Sequence, residues 1–261
     1  MGYKFKGPSS AYGVCAFYVS VPANGATLGP ETAFIPILKK GATVSSEGGA
    51  TFVLLEDVDF GAPDNETVML EQNSDTGEPL TFGIQAFGRV VSGELGTETV
   101  TVGTFERFKK IELKTLDIVE ILSVTDEEGN NYYEVPFLSQ NVIYQGVANR
   151  SQADNLAPAA MIKPFVVPRR FITKRNSRKT ALQFGYGSEN ELSEASVAEP
   201  TNVVIQKIGR NYISDTSFDP SKLLDSDKFG VAPSNTTLRV NFRRNTLSNA
   251  NAAAGSINRI I

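Results

Sequence analysis

Gly13-Val14-Cys15-Ala16-Phe17-Tyr18-Val19-Ser20-Val21 is the stretch that decides the fold class. It carries no charge, and its β-branched and aromatic side chains suit a pleated, half-buried surface better than a helix. Shorter runs of the same kind recur at residues 33–38, 51–55, 67–70, 99–102, 118–124, 131–135, 203–208 and 237–243, between clusters of Gly, Pro, Asn and Asp. That punctuation reads as turns, because Pro presets φ while Asn, Asp and Gly bond their own backbone or tolerate positive φ. Pro63-Asp64-Asn65 and Asp75-Thr76-Gly77 are two such turns, and Glu127-Glu128-Gly129-Asn130 reads as a hairpin loop. The expected fold is mainly β, with two or three small β-rich domains and few short helices.

Helical signals are sparse. Residues 104–115 space Phe105, Phe108 and Ile111 loosely and are better explained as a turn into a strand. Residues 220–224 read as a helix of one or two turns, with Asp219 as N-cap and Pro220 at the first helical position, where its missing N–H costs nothing. Ala, Pro, Asn and Ser concentrate over residues 149–168, which marks a boundary. The expected division is an N-terminal β domain over 1–100, a strand and hairpin segment over 101–150, and a C-terminal β-rich domain over 151–261. An apolar segment begins at Ile257 and breaks off at Ile261, which reads as a chain cut short.

Composition limits the chemistry. The 261 residues include no histidine and no tryptophan, one cysteine, and a net charge of −4. Without imidazole there is no Ser-His-Asp or Cys-His constellation and no imidazole ligand for zinc. Cys15 lies inside an apolar run, the setting of a buried small hydrophobe rather than a nucleophile. No run approaches the roughly 20 apolar residues that span a bilayer, and the N-terminus lacks the order of a signal peptide. Folding in a cytoplasm is the default expectation, with no cofactor and no membrane partner.

Carboxylates cluster at Glu56-Asp57 with Asp59, at Asp126-Glu127-Glu128, and at Asp215, Asp219, Asp225 and Asp227. The last set lacks the loop spacing, glycine and terminal glutamate of an EF-hand, so turn and cap carboxylates in solvent are the plainer reading. The glycine pairs Gly185/Gly187 and Gly83/Gly88 match no phosphate cradle. Phe184-Gly185-Tyr186-Gly187 reads instead as a tight turn where aromatic rings pack beside bare backbone. The sharpest charge feature is Lys163, Arg169, Arg170, Lys174, Arg175, Arg178 and Lys179, interleaved with Phe165 and Phe171 and with no acid between them. Such a run suits an acidic neighbouring subunit, a nucleic-acid backbone or a solvated connector. The mildly acidic remainder of the chain argues against nucleic acid.

Three segments, in order, resemble the baseplate wedge proteins of contractile-tailed phages, the baseplate-J-like family. Val19-Ser20-Val21-Pro22-Ala23-Asn24-Gly25-Ala26 leads through Ile37-Leu38-Lys39-Lys40-Gly41-Ala42-Thr43-Val44 to Thr51-Phe52-Val53-Leu54-Leu55-Glu56-Asp57-Val58. This is similar to the family's strand with a Pro-Ala-Gly step, its Lys-Gly-Thr turn and its Phe-containing strand closed by Glu-Asp-Val. Leu182-Gln183-Phe184-Gly185-Tyr186-Gly187 stands where the family carries Arg-Phe-Gly-Asp-Gly, with Tyr186 replacing the aspartate. Leu238-Arg239-Val240-Asn241-Phe242-Arg243 resembles the family's aromatic-Arg strand, and residues 249–257 follow it with Asn, Ser and Ala in place of glycines.

The resemblance implies a non-enzymatic structural subunit of the virion tail baseplate, made in the bacterial host cytoplasm. It implies association with itself, as a homodimer or ring around the tail tube, and with other wedge, tube or sheath-initiating proteins. Its task would be to relay conformational change for sheath contraction, with Lys163–Lys179 and the loop at Glu127–Asn130 as contact surfaces. The alternative is a tail-associated carbohydrate-binding or degrading protein that uses the aspartate clusters.

Overall fold

The structure is a computed structural model that describes residues 5, 7–25, 28–148, 160–188, 229–245 and 250–261. It is mainly β, as expected: the single helical element among these residues is a three-residue turn at Thr32–Phe34. In chain order the first strands are β1 (Tyr12–Pro22), β2 (Ile37–Leu38), β3 (Thr43–Ser46), β4 (Thr51–Leu54), β5 (Val58–Asp59), β6 (Glu66–Gln72) and β7 (Pro79–Ser92). The middle of the chain forms β8 (Glu94–Val102), β9 (Lys110–Glu112), β10 (Ile118–Thr125), β11 (Asn131–Glu134) and β12 (Val142–Ala148). The last are β13 (Ala160–Val166), β14 (Arg170–Asn176), β15 (Lys179–Phe184), β16 (Thr236–Arg244) and β17 (Ile257–Ile260).

Contacts divide the chain into two units, and the division is not sequential. Gly7–Gly96, Asp117–Glu120 and Phe242–Ile261 form one; Met1–Lys6, Thr97–Leu116 and Ile121–Asn241 form the other. Composition had suggested consecutive blocks over 1–100, 101–150 and 151–261. Instead the final strand pairs with β3 and so belongs with the N-terminal residues.

The unit built on Gly7–Gly96 holds a six-stranded sheet ordered β1-β7-β4-β3-β17, with β6 also paired to β7. β1 runs antiparallel along eleven residues of β7 without a register shift. The period-2 alternation of β1 sends Phe17 and Val21 inward, onto Ile84, Ala86 and Val90 of β7 and onto Phe52, Leu54 and Phe60. Cys15 packs against the same cluster, and burial pushes its thiol pKa up. It is a half-buried side chain packed as a small hydrophobe.

β7, the longest strand, is absent from the runs that the sequence pattern marked as strands. Gly88 sits there because a Cβ at that position would lie 2.5 Å from Val58 and 2.9 Å from Leu54. Close packing of side chains onto the strand, not a bend, explains the residue. The expected strand over residues 33–38 is also corrected. Glu31 accepts from Ala33 N and Ile35 N bonds Thr32 O, so the chain coils once, and Pro36 offers no N–H to a ladder. Only Ile37–Leu38 remains extended, paired with Val58–Asp59.

The seven-stranded sheet is ordered β8-β16-β10-β11-β14-β15-β9. The expected hairpin at Glu127–Asn130 is present: Val124 opposes Tyr132, Asp126 accepts from Asn130 N, and Gly129 takes φ +85°. Residues 104–115 turn into the short strand β9, as expected. In the unit built on Ile121–Asn241, Phe184 packs edge-on against Tyr132 at 5.5 Å and tilted against Phe171 at 5.9 Å. The expected strand over 203–208, the expected helix over 220–224 and the carboxylates Asp215, Asp219, Asp225 and Asp227 lie outside the described residues.

Candidate interaction surface

The basic segment is folded into strands β13, β14 and β15, so it is no solvated connector. Strand alternation then separates its cations. Lys163 sits on β13 opposite Gln145. Arg169 offers its carbonyl to Tyr133 N at the start of β14. Arg170, expected on an interface, is 1% exposed: its Nε donates to Leu138 O at 2.7 Å and its Nη1 to Val167 O at 2.9 Å. A guanidinium that satisfies two carbonyls inside the unit is a structural cross-tie. Its stem also lies where a Cβ on Gly230 would be, 2.6 Å from Cγ, which explains the glycine there.

The remaining cations belong to the β14–β15 hairpin. Arg175 opposes Thr180 and faces the half-buried side, while Arg178 lies in the exposed turn. Lys174 opposes Ala181, which in turn opposes Glu112 of β9, and Gln183 opposes Lys110. Directly paired residues share a face and alternate residues along a strand return to it. Lys110, Lys174 and Lys179 therefore gather on one face of β9, β14 and β15, around Glu112. Lys179 Nζ lies 2.7 Å from Glu112, whose carboxyl is held below the usual range first by that hydrogen bond. Glu112 offsets one lysine, so this face keeps a net positive charge. The sequence run pointed to this face but included Arg170 and missed Lys110, which is brought in only by the pairing of β15 with β9.

The Phe184–Gly187 segment leaves the end of β15 as aromatic rings on bare backbone. Tyr186 is buried, stacked on Phe108 at 5.5 Å and tilted against Phe229 at 6.1 Å, with the Arg107 guanidinium 5.5 Å above its ring. Gly185 has no room for a Cβ, which would run into the carbonyls of Phe229 and Gly230. Gly187 N donates to Gly230 O and its own carbonyl accepts from Ala232 N. The tyrosine that replaces an aspartate in the resemblance is thus core, not a ligand-facing side chain.

The described acidic groups do not converge. Glu56 is forked to Arg89, which lowers its pKa chiefly through that side-chain bond. Asp57 holds Lys39 and Lys40, Asp59 caps Gly61 N, and Asp126 closes the hairpin turn. Among the described residues no group of three or more such side chains could hold a metal ion.

A second exposed surface escaped the sequence reading. β12 and β13 form a ribbon paired over seven positions and joined to no larger sheet among the described residues. On one face Val142 opposes Val166, Tyr144 opposes Pro164 and Gly146 opposes Ile162, with no charge among them. Tyr144, Ile162 and Val166 are 72%, 75% and 71% exposed. A lone two-stranded ribbon is marginal in water, so an uncharged face on one calls for a covering surface. The alternation of Ile162, Pro164 and Val166 was the available signal, interrupted in the sequence by Lys163.

No protein-family model matches the chain, and no curated protein matches it.

Proposed function

We propose that this chain is a structural subunit of the baseplate wedge of a contractile phage tail, binding its neighbours around the tail tube and passing rearrangement to the sheath. The observation that carries the reading is the way the first resembling segment closes on itself. Its Lys-Gly turn and its Glu-Asp-Val step meet: Lys39 Nζ lies 2.9 Å from Asp57, and Lys40 N donates to the same carboxylate at 2.7 Å. Gly41, at φ +90°, donates to Leu54 O, and Leu38 pairs with Val58. The residues that resemble the family are those that tie the small β2–β5 ribbon to the turn leading into β3, a fit for a protein that must hold its shape under load.

The positive face of β9, β14 and β15 and the apolar ribbon of β12 and β13 are surfaces for such neighbours. Co-expression with wedge, tube and sheath-initiating proteins of a contractile phage tail tests the reading. Recovery in a ring or in a symmetric oligomer by light scattering is the expected result. A monomer that ignores those proteins and binds host polysaccharide saturably would overturn it.

A further inference from the structure

The six-stranded sheet leaves β1 at one edge, and there a slot of about 510 Å³ opens between β1 and the segment that leads into β17. Residues 11–16 and Tyr18 form one wall and residues 251–255 the other, while Phe52 and Val90, both core side chains, reach it from below. None of the residues that line it is an acid, a lysine or an arginine. A charged side chain entering such a slot would lose its water without gaining a partner.

The main chain of β1 is ready to pair. Ser92 N donates to Ala11 O and Ala23 N to Leu80 O, so the two pairs that flank β1 are hydrogen-bonded ones. By the alternation of an antiparallel ladder, the odd-numbered residues of β1 bond to β7 and the even-numbered ones turn N–H and C=O away from it. Tyr12, Val14, Ala16 and Tyr18 therefore offer a row of donors and acceptors that no described residue takes up. The strand also lacks the usual protections of an edge: it has no charge, no bulge, and no proline before Pro22. From Tyr12 to Tyr18 this row is about 20 Å long at the rise of a strand.

We infer that the slot is a docking site for one extended, uncharged strand from another protein, which adds to the sheet beside β1 with its alternate side chains small and apolar. Main-chain bonds to the even-numbered residues would hold it, and every second side chain would rest on Phe52 and Val90. A second copy of this chain is the poorer occupant, because its own β1 arrives with β7 behind it, whereas residues 251–255 close the far side of the slot. The slot's chemistry stands whether or not the wedge reading does.

The probe is a capped octapeptide of alternating Thr and Val, titrated into the full chain while amide exchange is followed by NMR. The expected result is saturable binding with at least tenfold slower exchange at Val14, Ala16 and Tyr18, and little change at the odd-numbered amides that β7 already protects. The same peptide N-methylated at two successive central residues, which blocks both of its edges, should not bind. Ala16→Pro, which removes one outward N–H at an edge where proline is tolerated, should weaken binding at least tenfold at an unchanged melting temperature. If that variant does not fold, the methylated peptide decides alone. Equal binding of the methylated peptide, or no slowing at the even-numbered amides, would overturn the inference. So would a dimer of the chain by itself that protects those amides, since that gives the slot to a second copy.

Discussion

Lys39 and Asp57 are eighteen residues apart in the chain and 2.9 Å apart in space, and the same carboxylate also takes the backbone N–H of Lys40. The two bonds differ in worth. Lys39 and Asp57 are both well exposed, so their attraction is screened, whereas the N–H bond orders a turn. Asp57→Ala should therefore lower the melting temperature more than Lys39→Ala, and in high salt the Lys39 effect should fade while most of the Asp57 effect persists. Thermal melts of both variants at low and high salt check this.

Acid should weaken the same corner. The N–H of Lys40 first, and Lys39 next, hold the Asp57 carboxyl below its ordinary pKa; Arg89 does so for Glu56 and Lys179 for Glu112. A carboxyl depressed in the folded state stabilises fully above its unfolded pKa, and that contribution is lost as pH falls through the folded value. Urea midpoints should hold level from neutral pH to about pH 5 and fall below it. Asp57→Asn should start lower and fall less steeply.

Arg170→Leu should cost about 3 kcal/mol, because it strands the carbonyls of Leu138 and Val167 inside the unit. Lys163→Ala, an exposed change, should stay within about 0.5 kcal/mol. Urea unfolding of the two variants separates the buried cross-tie from the solvated cation of the same sequence run.

Gly88→Ala should destabilise by about 1–3 kcal/mol, since the added methyl meets Val58, Leu54 and Phe17 in a packed core. Gly13→Ala, on the neighbouring strand with open space around it, should be neutral or slightly stabilising. Denaturant midpoints for the pair test whether glycine in these strands is a matter of space or of conformation.

On the proposed wedge reading, the paired change Lys110→Glu with Lys174→Glu should leave the melting temperature within about 2 °C and abolish recovery of an acidic partner on co-expression. Undiminished recovery would remove that face from the interface.

Alternation and turn chemistry made β1, β4, β10, β11 and β16 legible, since each is a short apolar run between strong breakers. β7 was not, because Gly83 and Gly88 act there through the side chains packed on them, and that is a tertiary fact. The positive face was half legible. Proximity in sequence collected the right hairpin, but a strand sends neighbours to opposite faces, so Arg170 turned inward and Lys110 arrived from 64 residues before Lys174 through β9. The apolar ribbon was hidden by its own proline and lysine.

The pairing of β17 with β3 has a consequence for synthesis. Asn258 reaches back 211 residues to Glu47, and Ile257 lies beside Ser46. A ribosome adding about 5–20 residues per second needs roughly 10–40 s to cover that distance. For that interval the nascent chain carries β3 as an open edge, able to pair with the same edge of a neighbouring nascent chain.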